Sequence, residues 1–277
     1  MRGRLVAREA LGADVRRRME QLLAAHFEGV THASFNRDLD EKNWVVLLEE
    51  GGRLSGFTTL LTYESSVAGE PLAVVYSGDT IMERGAHGSA ALPQAWIAAV
   101  RALHEGGLGG NIGGAGAAPS RPQRRLFWLL LTSGFRTYRF LPVFWRDFQP
   151  CPGTPPPPAA RSLLDALARE RLGSCYLPEL GIARLAAPQL LARDLREVPA
   201  GKLADPYVAL FLASNPGWES GDELVCLTEI AAHNLTAAGR RMWQRGRIDH
   251  APAAGAPEAR GVSAGTPAAG RPAEAAE

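Results

Sequence analysis

The strongest constraint on the fold is a run of apolar and aromatic residues from Leu126 to Phe148, LFWLLLTSGFRTYRFLPVFWRDF. Exposing so many apolar side chains to water is unfavourable, so this segment must be largely buried. The spacing of its apolar residues does not decide whether it begins as a strand or as a helix. The rest of the chain must therefore fold around it.

The N-terminal part of the sequence predicts a helix followed by a hairpin. Apolar residues recur at helical spacing from Asp14 to Phe27, and Asp14 is placed to cap the free N–H groups of the first turn. Residues that favour strands lie on both sides of the turn-forming residues 49–52, EEGG. We therefore predict two paired strands, Trp44 to Leu48 and Gly56 to Tyr63.

The middle of the sequence predicts a strand, a short join and a helix. The strand runs from Leu72 to about Met82, and the helix runs from Pro93 to His104, with proline at a favoured first position. The join is ERGAHGSAAL, residues 83–92. After the helix, a segment rich in Gly, Ala and Pro at about 106–123 predicts a flexible insertion.

The second half of the chain adds further helices and strands after a proline-rich break at 152–158. Helices are predicted at 160–172, 204–213 and 236–243, and strands at 181–185 and 223–230. The order is neither a strict βαβ alternation nor all-β. We expect one α/β (α+β) domain over 1–248. From about Asp249, the composition predicts a disordered tail, 249–277, that cannot repay its ordering entropy.

Composition and charge exclude some classes of protein. The chain has 30 Lys and Arg against 29 Asp and Glu, a net charge of +1, which argues against a nucleic-acid binder. The sequence shows neither a signal-like apolar run near its start nor a stretch of about 20 apolar residues. Three separated cysteines, Cys151, Cys175 and Cys226, predict free thiols and no metal site. These features predict a cytoplasmic protein without a membrane span.

The first helix, the hairpin, the strand from Leu72, the join and the helix from Pro93 together resemble the acyl-CoA-binding core of the GNAT superfamily. The resemblance covers roughly residues 14–148, and the segments HFEGVTHASFNRDLDEKNWVVLL and NPGWESGDELVCLTEI are similar to uncharacterised bacterial proteins with a GNAT-like core. It implies a central mixed sheet flanked by helices, with a helical insertion at about 151–180 before the closing strands near Gly181 and Glu223. It also implies an acyltransferase that uses acyl-CoA or an acyl carrier protein, needs no metal, and acts on a small-molecule or peptide acceptor.

The resemblance also implies where the cofactor would bind. In the family, an Arg/Gln-x-x-Gly-x-Gly/Ala loop opens a helix whose free N–H groups bind a pyrophosphate. The nearest match here consists of Arg84, Gly85, Ala86, His87, Gly88, Ser89 and Ala90. Its spacing is one residue longer than the family pattern, so the loop either absorbs a bulge or no longer fits a pyrophosphate. Alternatively, the two glycines only permit a tight turn, and His87 is a solvated loop residue.

Three residues are candidates for catalysis. Asp79 and Glu83 lie where the strand from Leu72 ends, and a carboxylate there can take the proton of an attacking amine. As turn or surface charges they would be equally ordinary. The segment LTSGFRTY, 131–138, resembles the part of the family in which a tyrosine protonates the departing thiolate, which implies Tyr138 as the acid. The alternative is a half-buried tyrosine with a hydrogen-bonded hydroxyl.

Two functions of different classes follow. The first is direct transfer of an acyl group from a thioester to an amine or hydroxyl. The second is a non-catalytic binding or scaffold protein that keeps the same fold, which the longer spacing of the loop favours.

Overall fold

The computed structural model describes residues 1–84, 90–106, 124–153 and 155–250. Within these ranges, the strands are β1 Arg2–Ala7, β2 Phe27–Glu28, β3 Trp44–Glu50, β4 Arg53–Val67, β5 Glu70–Met82, β6 Arg125–Thr132, β7 Phe148–Gln149, β8 Tyr176–Leu177, β9 Ile182–Ala183, β10 Leu190–Leu191, β11 Glu223–Glu229 and β12 Asp249–His250. The α-helices are α1 Ala13–Ala24, α2 His32–Asp40, α3 Ala91–Gly106, α4 Phe135–Tyr138, α5 Phe140–Phe144, α6 Pro158–Leu172, α7 Arg193–Arg196, α8 Pro206–Ser214 and α9 Ala237–Arg245.

One large sheet organises the fold, in the order β12-β1-β3-β4-β5-β6-β11-β9-β8, and β7 also pairs with β11. The pairs β1–β12 and β5–β6 are parallel, and the other pairs are antiparallel. The short strands β2 and β10 form a separate antiparallel pair. The mixed sheet flanked by helices that the sequence predicts is confirmed.

The apolar run that dominates the sequence begins as the central strand β6. Every residue from Leu126 to Thr132 is buried, because helices cover both faces of the sheet at this strand. A strand buried on both faces has no alternation of apolar and polar residues, so its periodicity could not identify it. After Thr132, the run continues through α4 and α5 to β7.

The two faces of the sheet pack against different helices. On one face, α3 inserts Trp96, Ile97 and Val100 into a cluster with Trp128 of β6 and Trp145, and the Trp96 and Trp128 rings lie 4.1 Å apart. On the opposite face, α1 and α2 cover β3 and β4, while α6 covers β6 and β11. The ends of α2 and α6 therefore lie on the same face of the sheet.

Most predicted elements are confirmed, with three corrections. The first helix ends at Ala24 rather than Phe27, which lies in β2. Its N-cap is Gly12, and Asp14 lies in the first turn, where its carboxylate binds Arg17 at 2.8 Å. The strand predicted at 181–185 has only the two residues of β9.

The predicted tail differs at its first two residues. Asp249 and His250 form β12 and pair in parallel with Arg4 and Leu5 of β1. Sequence periodicity also did not identify β1 or α2. Residues 107–123 of the predicted flexible insertion, and 251–277 of the predicted tail, lie outside the described residues.

Candidate functional site

The sheet opens where the two central parallel strands separate. Pairing between β5 and β6 extends from Leu72↔Arg125 to Ser77↔Leu130. Beyond that point, β5 remains paired with β4 as far as Met82, and β6 remains paired with β11 as far as Thr132. Because each strand keeps only its outer neighbour, a gap forms between Gly78–Met82 and the end of β6. We call this the central gap.

A bulge in β5 begins at the central gap. Thr58 pairs with Thr80 and Leu60 pairs with Ser77, so Thr59 alone lies opposite Gly78 and Asp79. An extra residue of this kind bends a strand and ends regular pairing. The hydroxyl oxygen of Thr59 is buried and has no hydrogen-bond partner within the described ranges. The bulge therefore places Asp79 at the gap, beside a polar atom that lacks a partner.

The surroundings of Asp79 at the gap change the pKa of its carboxylate. Its side chain is partly buried, and its carboxylate has no hydrogen bond from the described part of the chain. Burial raises the pKa of Asp79 to about 6; the charge of Asp38 adds to this effect, and Lys42 opposes it. Since a base works best with a pKa near the working pH, Asp79 can accept a proton near neutrality.

Lys42 is buried against the bulge. It follows α2 and is only 6% exposed. Its Nζ donates to the carbonyl of Asp38 at 2.9 Å and lies 5.5 Å from the centre of the Tyr76 ring. Burial lowers the pKa of Lys42, against the opposing influence of Glu41 and other nearby carboxylates.

Tyr76 connects Lys42 with the end of α6. The guanidinium of Arg171 lies 4.6 Å from the centre of the Tyr76 ring, and it also forms an ion pair with Glu41. Burial is the main cause that raises the pKa of Tyr76, so its phenol keeps its proton at neutral pH. Two cations thus hold one ring in place, two residues before the gap.

The other side of the central gap contributes Glu223 and Ser133. The hydroxyl of Ser133, just after β6, donates to Glu223 of β11 at 2.6 Å. Burial raises the pKa of Glu223, and the charges of Asp79 and Asp38 raise it further. Because the charge of Asp79 raises the pKa of Glu223, the two carboxylates lie close enough to interact across the gap.

Tyr138 lies in the core beside β7 and α8. Its ring is fully buried between Phe148 and Phe211, and its hydroxyl donates to the carbonyl of Pro150 at 2.7 Å. Burial raises the pKa of Tyr138 above its usual value. In this arrangement the hydroxyl hydrogen is already used in a hydrogen bond to the protein backbone.

Glu83 and Asp79 have different surroundings. One carboxylate oxygen of Glu83 accepts from Arg18 at 3.0 Å, and the other accepts from Arg53 at 2.6 Å. Glu83 thus joins α1 to the hairpin of β3 and β4. Of the two predicted bases, Asp79 is the one whose oxygens are not engaged by a hydrogen bond from the described residues.

The predicted phosphate loop is described only at its two ends. Arg84 forms an ion pair with Asp194 and donates twice to the carbonyl of Ala25, at 3.2 and 2.6 Å. Ala90 accepts a backbone hydrogen bond from Gln94 in the first turn of α3, which begins at the next residue. The remaining predicted loop residues, Gly85, Ala86, His87, Gly88 and Ser89, lie outside the described residues.

The structure adds site residues that sequence reasoning missed. Lys42, Tyr76, Arg171 and Glu223 come from four separate segments and meet only through the sheet. The spacing of charged residues in the sequence gives no sign of this meeting. Burial of a lysine is rare unless it is paired, but burial is not visible in the sequence.

Neither a metal-binding cluster nor a membrane-spanning helix occurs in the described part of the chain. No group of three or more His, Cys, Asp or Glu side chains arranged to hold a metal ion occurs in the described ranges. No helix in the same ranges has both the length and the apolar character that crossing a bilayer requires.

The solved structures that match this chain include distant ones. No protein-family model matches the chain, and no curated protein matches it. Among solved structures, an aminoglycoside acetyltransferase from an uncultured soil metagenomic sample, in complex with trehalose, matches at 16% identity and a TM-score of 0.28, over 38% of this chain and 70% of that chain. A conserved protein of unknown function from Enterococcus faecalis V583, a probable N-acyltransferase, matches at 12% identity and a TM-score of 0.35, over 83% of this chain and 66% of that chain. Likenesses at these scores carry no argument about activity.

Proposed function

We propose that this chain is an acyltransferase that takes an acyl group from acyl-CoA, or from an acyl carrier protein, and transfers it directly to an amine or hydroxyl. The acceptor is a small molecule or a peptide. The observation that carries the proposal is the central gap with Asp79 on its bulge. The end of β5–β6 pairing would leave a place for an extended thioester arm between the strands, and a carboxylate with a pKa of about 6 is suited to accept the acceptor's proton.

The proposed reaction uses one general base and a single nucleophilic attack of the acceptor on the thioester. Asp79 takes the proton from the acceptor nitrogen or oxygen, which forms a bond to the thioester carbon. The carbon–sulfur bond then breaks, and the sulfur leaves with its electron pair and takes a proton. Tyr138 is the acid that the family resemblance suggests; to act, its O–H must first leave the carbonyl of Pro150.

The charges around Asp79 support this role. Asp38 and burial keep the pKa high enough for the group to bind a proton, and Lys42 keeps it low enough for the group to be ionised at pH 7. The phosphates of the donor would lie at the N-terminus of α3, which residues 84–90 precede, because the N-terminus of a helix favours anions. Arg84 and Ala90 are the described members of that loop.

Thermal melting with and without acetyl-CoA tests the proposal. A ligand at 100 times its dissociation constant adds about 2.7 kcal/mol to the free energy of unfolding. We expect the melting temperature to rise with acetyl-CoA. The absence of any rise with several CoA esters and with an acyl carrier protein would remove the proposal.

One observation favours the alternative of a non-catalytic binding or scaffold protein. The guanidinium of Arg84 is already engaged by Asp194 and by the carbonyl of Ala25. A protein that no longer binds the donor would show this arrangement permanently. The melting experiment separates the two functions.

A further inference from the structure

A segment from the second half of the chain crosses the end of the central gap. We call residues 190–197, which comprise β10, α7 and the flanking Ala192 and Glu197, the strap. At one end, Leu190 and Leu191 pair with β2, and the N–H of Ala192 donates to the carbonyl of His26 at 2.7 Å. This end of the strap is therefore attached next to α1.

The opposite side of the strap contacts the segment that follows β6. Arg136 donates to the carbonyl of Leu195 at 2.7 Å and to the carbonyl of Glu197 at 3.4 Å. A methyl group at Gly134 would lie 3.1 Å from a Leu191 methyl carbon, so the Leu191 side chain lies against the backbone of Gly134. The strap is thus joined to the β6 side of the gap.

The strap also reaches the β5 side through one ion pair. Asp194 binds Arg84, which comes two residues after the end of β5. Because Arg84 follows β5 while Gly134 and Arg136 follow β6, the strap joins the ends of the two strands that separate. It therefore lies across the entrance through which an extended ligand would reach Asp79.

The α7 part of the strap is held mainly by polar contacts, whereas Leu191 of β10 is partly buried against the core. No residue of α7 is buried, and the side chains of Arg84 and Asp194 are 45% and 59% exposed. Beside it, Arg193, Asp194, Arg196, Glu197 and Glu219 line an open cavity of about 700 Å³. Segments with few buried apolar contacts open at low free-energy cost.

We propose that the strap is a latch on the central gap, in which Asp194 occupies Arg84 until an anionic group of the ligand replaces it. This inference rests on the proposed function, because it assigns Arg84 to the donor's phosphates. A carboxylate and a phosphate oxygen bind a guanidinium in the same way, through charge-assisted hydrogen bonds. Binding of the donor therefore releases the strap.

The latch can be tested without any ligand by amide hydrogen exchange. In Asp194→Asn, we expect the Ala192 amide, which bonds to His26, to exchange faster than in the wild type. Asp14→Asn is the matched control, because Asp14 is an exposed aspartate paired with Arg17 far from the strap. Unchanged exchange in Asp194→Asn, or equal acceleration in both variants, would overturn the latch whatever the protein binds.

Calorimetric titration with acetyl-CoA tests the link to the ligand. We expect Asp194→Asn to bind acetyl-CoA about two- to five-fold more tightly than the wild type, the range that an exposed ion pair supports, and Asp14→Asn to bind like the wild type. Acetyl-pantetheine, which lacks the pyrophosphate, should show no such gain. Equal or weaker binding by Asp194→Asn would overturn the latch and leave the proposed function intact, while no binding by any variant would remove both.

Discussion

Lys42 lies against Gly78 so closely that a methyl group at Gly78 would be 2.8 Å from its Cε and 2.6 Å from the hydroxyl of Thr59. Only glycine leaves room for the lysine at the bulge. We predict that Gly78→Ala forces Lys42 to move and lowers the free energy of unfolding by about 1–2 kcal/mol, the usual cost of overpacking. Urea unfolding of Gly78→Ala and of the wild type measures this change in the free energy of unfolding.

Gly201→Ala is the matched control for that change, because nothing lies within 4 Å of a methyl group at Gly201. We expect its unfolding free energy to stay within about 0.5 kcal/mol of the wild type, as for other surface substitutions. Equal effects at Gly78 and Gly201 would show that the Lys42 contact does not constrain the bulge.

Asp79→Asn should stabilise the protein at neutral pH. The folded pKa of Asp79, about 6, lies above its usual value of 3.8, so the folded state holds the proton more tightly than the unfolded state. Ionisation of Asp79 therefore lowers the free energy of unfolding, and this loss is complete above pH 6. The loss disappears as the pH falls through 6 toward 3.8. Because Asp79 is only partly buried, we expect a gain of about 1 kcal/mol at pH 7.5.

The same linkage predicts that this gain falls to roughly one third at pH 4.5. Urea unfolding of both proteins at the two pH values measures the difference. A gain that is equal at both pH values would mean that the carboxylate of Asp79 is not the source.

Lys42→Met should raise the pKa of Asp79, because the ammonium of Lys42 is the charge that lowers it. The pKa is measured from the carboxyl carbon shift of Asp79 in an NMR titration. Lys202→Met, which changes the chain's other lysine at an exposed position, should leave that titration unchanged. If the pKa of Asp79 does not move in Lys42→Met, the two groups do not interact as the structure indicates.

Glu83→Gln and Asp79→Asn distinguish the two predicted bases. We expect Asp79→Asn to lower the rate of thiol release from acetyl-CoA in the presence of an accepted amine by about 10²–10⁴-fold, the usual contribution of a general base. Glu83→Gln should keep the rate and lose about 0.5–1 kcal/mol of stability, because its two partly exposed ion pairs with Arg18 and Arg53 weaken. The reverse pattern would assign the base to Glu83.

The sequence predicted the elements whose pattern is local. The hairpin around EEGG, the strand ending at Met82 and the helix after it all appear, because turn residues and apolar spacing act over a few residues. In contrast, β1 was not predicted, because its polar residues Arg2 and Arg4 obscure a strand that is stabilised by pairing with β3. Strand pairing between distant segments is not visible in local patterns.

The candidate site was only partly predictable, for the same reason. Asp79 was identified by its place at the end of a strand, but the bulge that sets its surroundings depends on the register between β4 and β5. Lys42 and Glu223 approach Asp79 from opposite sides of the sheet opening. Their meeting depends on the order of the strands, which the sequence of a single chain does not specify.

The most direct test of the account is a crystal structure with bound coenzyme A. We predict that its pantetheine arm lies between residues 78–82 of β5 and residues 131–132 of β6, with the sulfur facing the carboxylate of Asp79. Coenzyme A bound elsewhere, with those two strand ends still separated and the space between them not entered by the ligand, would contradict the proposed function.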